Sequence, residues 1–177
     1  MLRRIALLGL GIVATATLAR AAEPKVGDPA PAFSLQGSDG KTYSLDQFKG
    51  KSVVVLAWFP KAFTGGCTKE CKAMRAQGKA IREFQAAYFT ASTDTPELNK
   101  KFAESLELDY PILSDPKKST AQAYGVVHEG RAVPERWTFY IGKDGIIKAI
   151  DKGVQQRTES AGSDIAAKLK ELNVEAK

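Results

Sequence analysis

Cys67 and Cys71 lie close together in one short segment, and their setting favours thiol chemistry. An apolar run over residues 52–59 predicts a buried strand before them, and the polar stretch that follows predicts a helix over 68–87. A cysteine at the start of a helix lies near unpaired N–H groups and the positive end of the helix dipole. Both features stabilise a thiolate, so the pattern predicts that Cys67 is a reactive nucleophile.

Residues 1–21 predict a secretory signal peptide. Arg3 and Arg4 form a short basic region, and the apolar run over 5–19 is shorter than the roughly 20 residues that span a bilayer. Small residues at positions 19 and 21 fit a cleavage site that leaves Ala22 as the first residue. We therefore expect residues 22–177 to be exported as one domain, to the periplasm. The alternative is a leader that stays in place as a membrane anchor.

The composition is that of an ordinary soluble protein and limits the classes of partner. Of 177 residues, 44% are hydrophobic and 26% are charged. The net charge is +6, and removing the three arginines of the leader (Arg3, Arg4 and Arg20) lowers it to +3. No basic run with interleaved aromatic residues occurs in the sequence, so we expect no nucleic-acid partner.

A pair of cysteines in an exported protein usually forms a disulfide. One interpretation of Cys67 and Cys71 is a purely structural bridge, but closing so short a loop removes little chain entropy. A pair that cycles between dithiol and disulfide accounts better for the spacing.

Strand and helix patterns alternate along the chain and predict an α/β fold. An N-terminal hairpin is expected from segments 32–35 and 41–45, joined by a Gly- and Asp-containing turn. Further strands are predicted over 53–59, 88–92, 110–113, 137–141 and 145–151, and further helices from 95, over 117–124 and over 158–172. This order favours a mixed central β-sheet that is flanked by helices on both faces.

Pro60, Thr64 and Cys67 form the pattern Pro-x-x-x-Thr-x-x-Cys, and Arg136 stands just before a Thr-Phe strand. In these features the chain resembles the peroxiredoxins. Further agreement lies in segments 92–94, 111–116 and 123–126, so that the similarity runs from about residue 26 to residue 150. Segment 63–68 and Glu70 are most similar to the bacterioferritin-comigratory (PrxQ) branch of that family.

The resemblance implies a thioredoxin-like fold and a thiol peroxidase that needs no metal or organic cofactor. The implied substrates are hydrogen peroxide and organic hydroperoxides, and the implied partner is a thioredoxin-like protein or another dithiol reductant. This branch is often monomeric, so we expect a monomer or a weak dimer without stable membrane association after cleavage.

The implied peroxide chemistry assigns a role to each matching residue. Cys67 supplies the thiolate, and Arg136 stabilises both S⁻ and the charge that grows on the peroxide oxygens. The Thr64 hydroxyl accepts from the peroxide and donates to the sulfur, while the N–H groups of Gly66 and Cys67 bind an oxygen. Pro60 ends the strand and shields the thiolate from water. The simpler alternatives are that Thr64 only caps the helix, that Pro60 only ends the strand and that Arg136 is a surface residue.

Cys71 is the expected resolving cysteine, at an unusual distance along the chain. It follows Cys67 by four residues, whereas five is usual in the branch that the chain resembles. Cα atoms at that helical spacing lie ~6.2 Å apart, within the range of about 4.4–6.8 Å that a disulfide accepts. The Cβ atoms lie about 5–6 Å apart against the roughly 3.8 Å that a bridge needs. We therefore expect a Cys67–Cys71 disulfide that requires local unwinding, the alternative being that Cys71 is inert.

Two other functions use a pair of nearby cysteines. A Cys-x-x-x-Cys pair also resembles the Sco copper-delivery proteins, which add a distal histidine, but His128 does not match that context and we expect it to be an exposed loop residue. A general thiol–disulfide oxidoreductase normally has Cys-x-x-Cys and a cis-proline before a strand, and Pro134 lies near that place. Copper binding leaves Arg136 and Thr64 without a role, whereas the oxidoreductase stays an open alternative.

Overall fold

The computed structural model describes residues 23–128 and 130–177. The predicted signal peptide, residues 1–21, lies outside the described residues. Export of the protein and cleavage of this segment stay predictions. Within the described part of the chain, no helix has both the length and the apolar character needed to cross a bilayer. The expectation of a monomer or weak dimer also stays a prediction, because the structure describes a single chain.

In the described part of the chain, seven strands form one mixed sheet and five helices pack around it. The strands are β1 (Ser34–Gly37), β2 (Thr42–Ser44), β3 (Val53–Trp58), β4 (Ala86–Ser92), β5 (Ile112–Ser114), β6 (Thr138–Ile141) and β7 (Ile147–Asp151). The helices are α1 (Gly65–Ala76), α2 (Gly78–Arg82), α3 (Pro96–Ser105), α4 (Ser119–Ala123) and α5 (Ala161–Glu171). The strand order is β2-β1-β5-β4-β3-β6-β7, so the predicted α/β class and the N-terminal hairpin β1–β2 are confirmed.

The central strand β3 is buried along its whole length. Because side chains alternate across a strand, Val54, Leu56 and Trp58 pack on one face of the sheet with Tyr124 and other buried residues. The intervening side chains pack on the other face, where Met74, Ile81, Ile165 and Leu169 of α1, α2 and α5 cover the sheet. A continuous apolar run is therefore the sequence signature of this strand, as predicted.

The pairing of β3 with β6 brings distant parts of the sequence together. The two strands are antiparallel, with Ala57 opposite Thr138, and the amide of Trp58 donates to the Trp137 carbonyl at 2.8 Å. The end of β3 therefore lies beside the beginning of β6. The turn that follows β3 and the residue that precedes Trp137, which is Arg136, must consequently occupy the same edge of the sheet.

The long helix predicted over 68–87 is wrong at both ends and in its continuity. Helix α1 already begins at Gly65, because Thr64 has the extended backbone of an N-cap residue (φ −99°, ψ 154°). The helix is interrupted at Gln77, and α2 begins at the next residue, Gly78. A Cβ on Gly78 would lie only 2.8 Å from Asp109 Oδ2 and 2.9 Å from the Tyr88 hydroxyl. Strand β4 then begins at residue 86, two residues earlier than predicted, because its pairing with β3 starts there.

Candidate active site

Cys67 is the third residue of α1 and has no exposed surface. Its sulfur accepts a hydrogen bond from Nη2 of Arg136 at 3.2 Å. A guanidinium next to a sulfur complements negative charge that develops on it, as do the N–H groups at a helix N-terminus. The structure thus brings together the two residues on which the sequence-based prediction of reactivity most depends.

The Arg136 guanidinium is held at each of its three nitrogens. Nη2 donates to Cys67, Nη1 donates to the carboxylate of Glu70, and Nε donates to Oε1 of Gln155 at 3.0 Å. The side chain is only 4% exposed. The alternative that Arg136 is a surface arginine is therefore wrong.

Glu70 lies three residues after Cys67 on the same face of α1 and is fully buried. Burial raises the pKa of Glu70 to about 7, although the neighbouring Arg136 lowers it. Its second oxygen, Oε1, has no hydrogen-bond partner among the described residues. The ion pair that orients Arg136 is therefore sensitive to pH near neutrality.

Gly66 leaves room for the guanidinium. A Cβ at this position would lie 3.2 Å from Arg136 Nη2, whereas one on the preceding residue, Gly65, would meet open space. The first intrahelical bond of α1 runs from the Thr68 amide to the Thr64 carbonyl. The N–H groups of Gly66 and Cys67 come before this bond, in the turn whose donors a helix cannot pair itself. Their role in binding an oxygen stays a prediction.

Thr64 and Pro60 flank the turn before Cys67. Thr64 is exposed, and its hydroxyl donates to the Lys61 carbonyl at 2.9 Å. The predicted donation from this hydroxyl to the Cys67 sulfur is therefore not made here, because the nearer carbonyl takes the proton. Its oxygen keeps lone pairs that can accept from a peroxide. Pro60 is half-buried just after β3, and its shielding of the thiolate stays a prediction.

The turn itself is tied to the end of β4. The amide of Ala62 donates to Asp94 Oδ2 at 2.8 Å, and the Ser92 hydroxyl donates to the same oxygen at 3.0 Å. Phe63 has a positive φ of 60° and is 55% exposed, and its ring packs against Phe102 at a centroid distance of 4.9 Å. The turn is therefore fixed by polar contacts on one side and by aromatic packing on the other.

Cys71 is buried in the same apolar cluster as Cys67, with Phe59, Phe102 and Ile112 among its members. Both cysteines are free thiols. Burial, followed by the nearby Glu70 carboxylate, raises the pKa of the Cys71 thiol. Its carbonyl also accepts a hydrogen bond from the Tyr110 hydroxyl at 3.0 Å. In this conformation Cys71 is a weak nucleophile, so it must leave these surroundings before it can form a disulfide.

The features of the two alternative functions are not found at this site. His128 is exposed, as predicted, and its ring lies 6.1 Å from that of Trp137. Over residues 23–128 and 130–177, no group of three His, Cys, Asp or Glu side chains is arranged to hold a metal ion. Every peptide bond in the same two ranges is trans, including the one before Pro134.

Two residues of the site were missed by sequence reasoning. The resemblance to one branch of a family includes Glu70 but assigns it no role in the site. A carboxylate three residues after Cys67 must nevertheless share its helix face. Gln155 carried no signal at all, because it is an ordinary polar residue in a turn and lies far from the motif in sequence.

Comparison with known proteins gives the family to which the chain belongs. The model of the AhpC/TSA family matches residues 26–150. Chloroplastic peroxiredoxin Q of Populus jackii is 35% identical over 125 residues, which cover 70% of this chain and 58% of that protein. Alkyl hydroperoxide reductase E of Mycobacterium bovis is 33% identical over 125 residues, which cover 70% of this chain and 82% of that protein. The chain spans less than two thirds of the length of the first curated relatives that it matches.

A solved structure shows the same fold. Peroxidoxin BcpB from Mycobacterium tuberculosis superposes with a TM-score of 0.75 at 31% identity, covering 84% of this chain and 97% of that chain. The resemblance to the peroxiredoxins and the thioredoxin-like fold predicted from it are therefore confirmed.

The raised pKa of Glu70 predicts how stability depends on pH. The native carboxyl holds its proton up to about pH 7, whereas the unfolded one loses it near the ordinary value of 4.5. Stability contributed by this group is therefore fully present below pH 4.5 and is lost as the pH rises towards 7, by roughly 3 kcal/mol at most. In Glu70→Gln the difference in unfolding free energy between pH 5 and pH 7.5 should shrink.

Urea unfolding at the two pH values measures this effect. The matched control is Glu104→Gln, an exposed glutamate of α3, which should keep the pH dependence of the unchanged protein. An unaltered pH dependence in Glu70→Gln would show that Glu70 does not titrate in this window.

Proposed function

Because this chain belongs to the AhpC/TSA family, we propose that it is a thiol-dependent peroxidase that reduces hydrogen peroxide and organic hydroperoxides. The observation that carries the proposal is the hydrogen bond of 3.2 Å from Arg136 Nη2 to the sulfur of Cys67 at the start of α1. This contact places a cation that can also bind the peroxide directly beside the sulfur that would attack it.

In the first step the Cys67 thiolate attacks the nearer oxygen of the hydroperoxide. The S–O bond forms as the O–O bond breaks, which yields a sulfenic acid on Cys67 and, after uptake of a proton, water or an alcohol. Negative charge grows on the departing oxygen. Arg136 has further N–H groups on Nη1 and Nη2 with which to stabilise that charge, and the amides of Gly66 and Cys67 are additional donors.

In the second step Cys71 attacks the sulfenic sulfur of Cys67. A disulfide forms and one water molecule leaves. A thioredoxin-like protein or another dithiol then reduces the bridge by thiol–disulfide exchange and is itself oxidised to a disulfide. Because Cys71 is buried and its carbonyl is bonded to Tyr110, the first turns of α1 must open locally between the two steps.

Stopped-flow mixing of the reduced protein with hydrogen peroxide tests the first step. Oxidation should be fast, should disappear in Cys67→Ser, and should slow by about a hundredfold in Arg136→Lys, since a point charge does not reproduce the planar donor set. The control is Arg131→Lys, because Arg131 is partly exposed and pairs with Glu135. If the thiols of the unchanged protein react no faster than free cysteine, the peroxidase proposal fails.

The predicted disulfide has a separate test. After one equivalent of peroxide, digestion under non-reducing conditions and mass spectrometry should give a peptide that contains a Cys67–Cys71 bridge within one chain. In Cys71→Ser a trapping reagent for sulfenic acid should label Cys67 instead. A bridge between two chains, or a free Cys71 beside an oxidised Cys67, would mean that Cys71 does not resolve the intermediate.

We also propose that the protein is exported to the periplasm and that residues 1–21 are removed on the way. The support is the basic, apolar and small-residue pattern of that segment. The intact mass of the protein recovered from the periplasmic fraction should correspond to a chain that begins at Ala22. The full-length mass in the membrane fraction would instead indicate an uncleaved anchor.

A further inference from the structure

We propose that Gln155 is a positioning residue for Arg136, which sets the plane of the guanidinium against Cys67 and the incoming peroxide. The inference rests on the proposed peroxidase function and adds a residue that lies beyond the segment matched by the family model, residues 26–150. Its starting point is the hydrogen bond of 3.0 Å from Arg136 Nε to Gln155 Oε1.

Gln155 supplies a third contact to the planar guanidinium, at the edge that Glu70 and Cys67 leave uncovered. Glu70 and Cys67 hold Nη1 and Nη2, and these two points define a line about which the guanidinium can still tilt. Nε lies off that line, so a partner at Nε restricts this tilt beyond what the arginine side chain itself allows. A tilt would turn the free N–H groups away from the peroxide even while the contact with the sulfur remained.

Gln155 can act in this way because its own turn is held firmly. Residues Val154–Gln156 form a 3₁₀ turn, and Val154 is buried in the cluster that contains Ile165 and Leu169 of α5. On the far side of the turn, the Arg157 amide donates to the Val154 carbonyl at 3.0 Å. The Arg157 guanidinium is in turn bonded to both carboxylate oxygens of Asp151 at 2.8 Å.

The same segment also contacts the helix that carries Cys67. Glu159 pairs with Lys69 of α1 at 2.7 Å, between the two cysteines in sequence. Both groups are exposed, so the pair contributes little stability by itself. It shows that segment 154–159 lies along the first turns of α1, where Gln155 can cover the Nε edge of an otherwise buried arginine.

The decisive variant is Gln155→Met, which keeps the length of the side chain and removes the acceptor. We expect the second-order rate constant for peroxide to fall about fivefold, the effect of losing one hydrogen bond to a charged group whose partner is exposed. Alkylation of Cys67 by iodoacetamide should slow less, because that reagent needs the thiolate and does not need oriented N–H donors. The control is Gln156→Met, the exposed next residue of the same turn.

A double-mutant cycle tests whether Gln155 acts through Arg136. Lysine has no Nε donor, so Gln155→Met should have no further effect on the peroxide rate in an Arg136→Lys background. An equal fivefold loss in that background, or no loss in the single variant, would overturn the inference. These outcomes are distinct from failure of the proposed function, in which the unchanged protein itself would not react rapidly with peroxide.

Discussion

A buried charge needs a partner, and the pairing of Arg136 with Glu70 is the constraint on which the site depends. Taking the guanidinium and the carboxylate out of water is expensive, and removing either one would leave the other without compensation. The pair therefore contributes little to the stability of the fold, but it fixes the position of the Arg136 guanidinium. With Glu70 on Nη1, the arginine can present Nη2 to the sulfur of Cys67 and still remain 4% exposed.

The sheet makes this pairing possible, and this part of the fold could be predicted from the sequence. The continuous apolar run of β3 indicated a strand buried on both faces, and the alternation of strands and helices indicated the mixed sheet. The motif context predicted that Arg136 lies near Cys67. The antiparallel register of β3 and β6 explains this contact physically. The break at Gln77 could not be predicted, because no local pattern shows how closely Asp109 and Tyr88 approach Gly78.

The polar contacts of the site were harder to predict than its cysteines. Position along α1 implied that Glu70 shares a face with Cys67, yet nothing in the sequence indicated that its partner is Arg136, from the segment just before β6. Gln155 depends on where a short turn lies in space, which no local pattern encodes. For Thr64 the sequence suggested a contact that the structure does not contain. Its hydroxyl donates to the carbonyl three residues earlier and not to the Cys67 sulfur.

The two consecutive glycines at the start of α1, Gly65 and Gly66, look interchangeable in the sequence. A side chain at Gly65 would point into open space, whereas one at Gly66 would press on the guanidinium at 3.2 Å. A side chain is therefore accommodated at the first position without rearrangement, whereas at the second it requires the guanidinium to shift by a few tenths of an ångström. Any library that randomises this helix start should keep position 66 fixed, since it sets how closely the arginine approaches the sulfur.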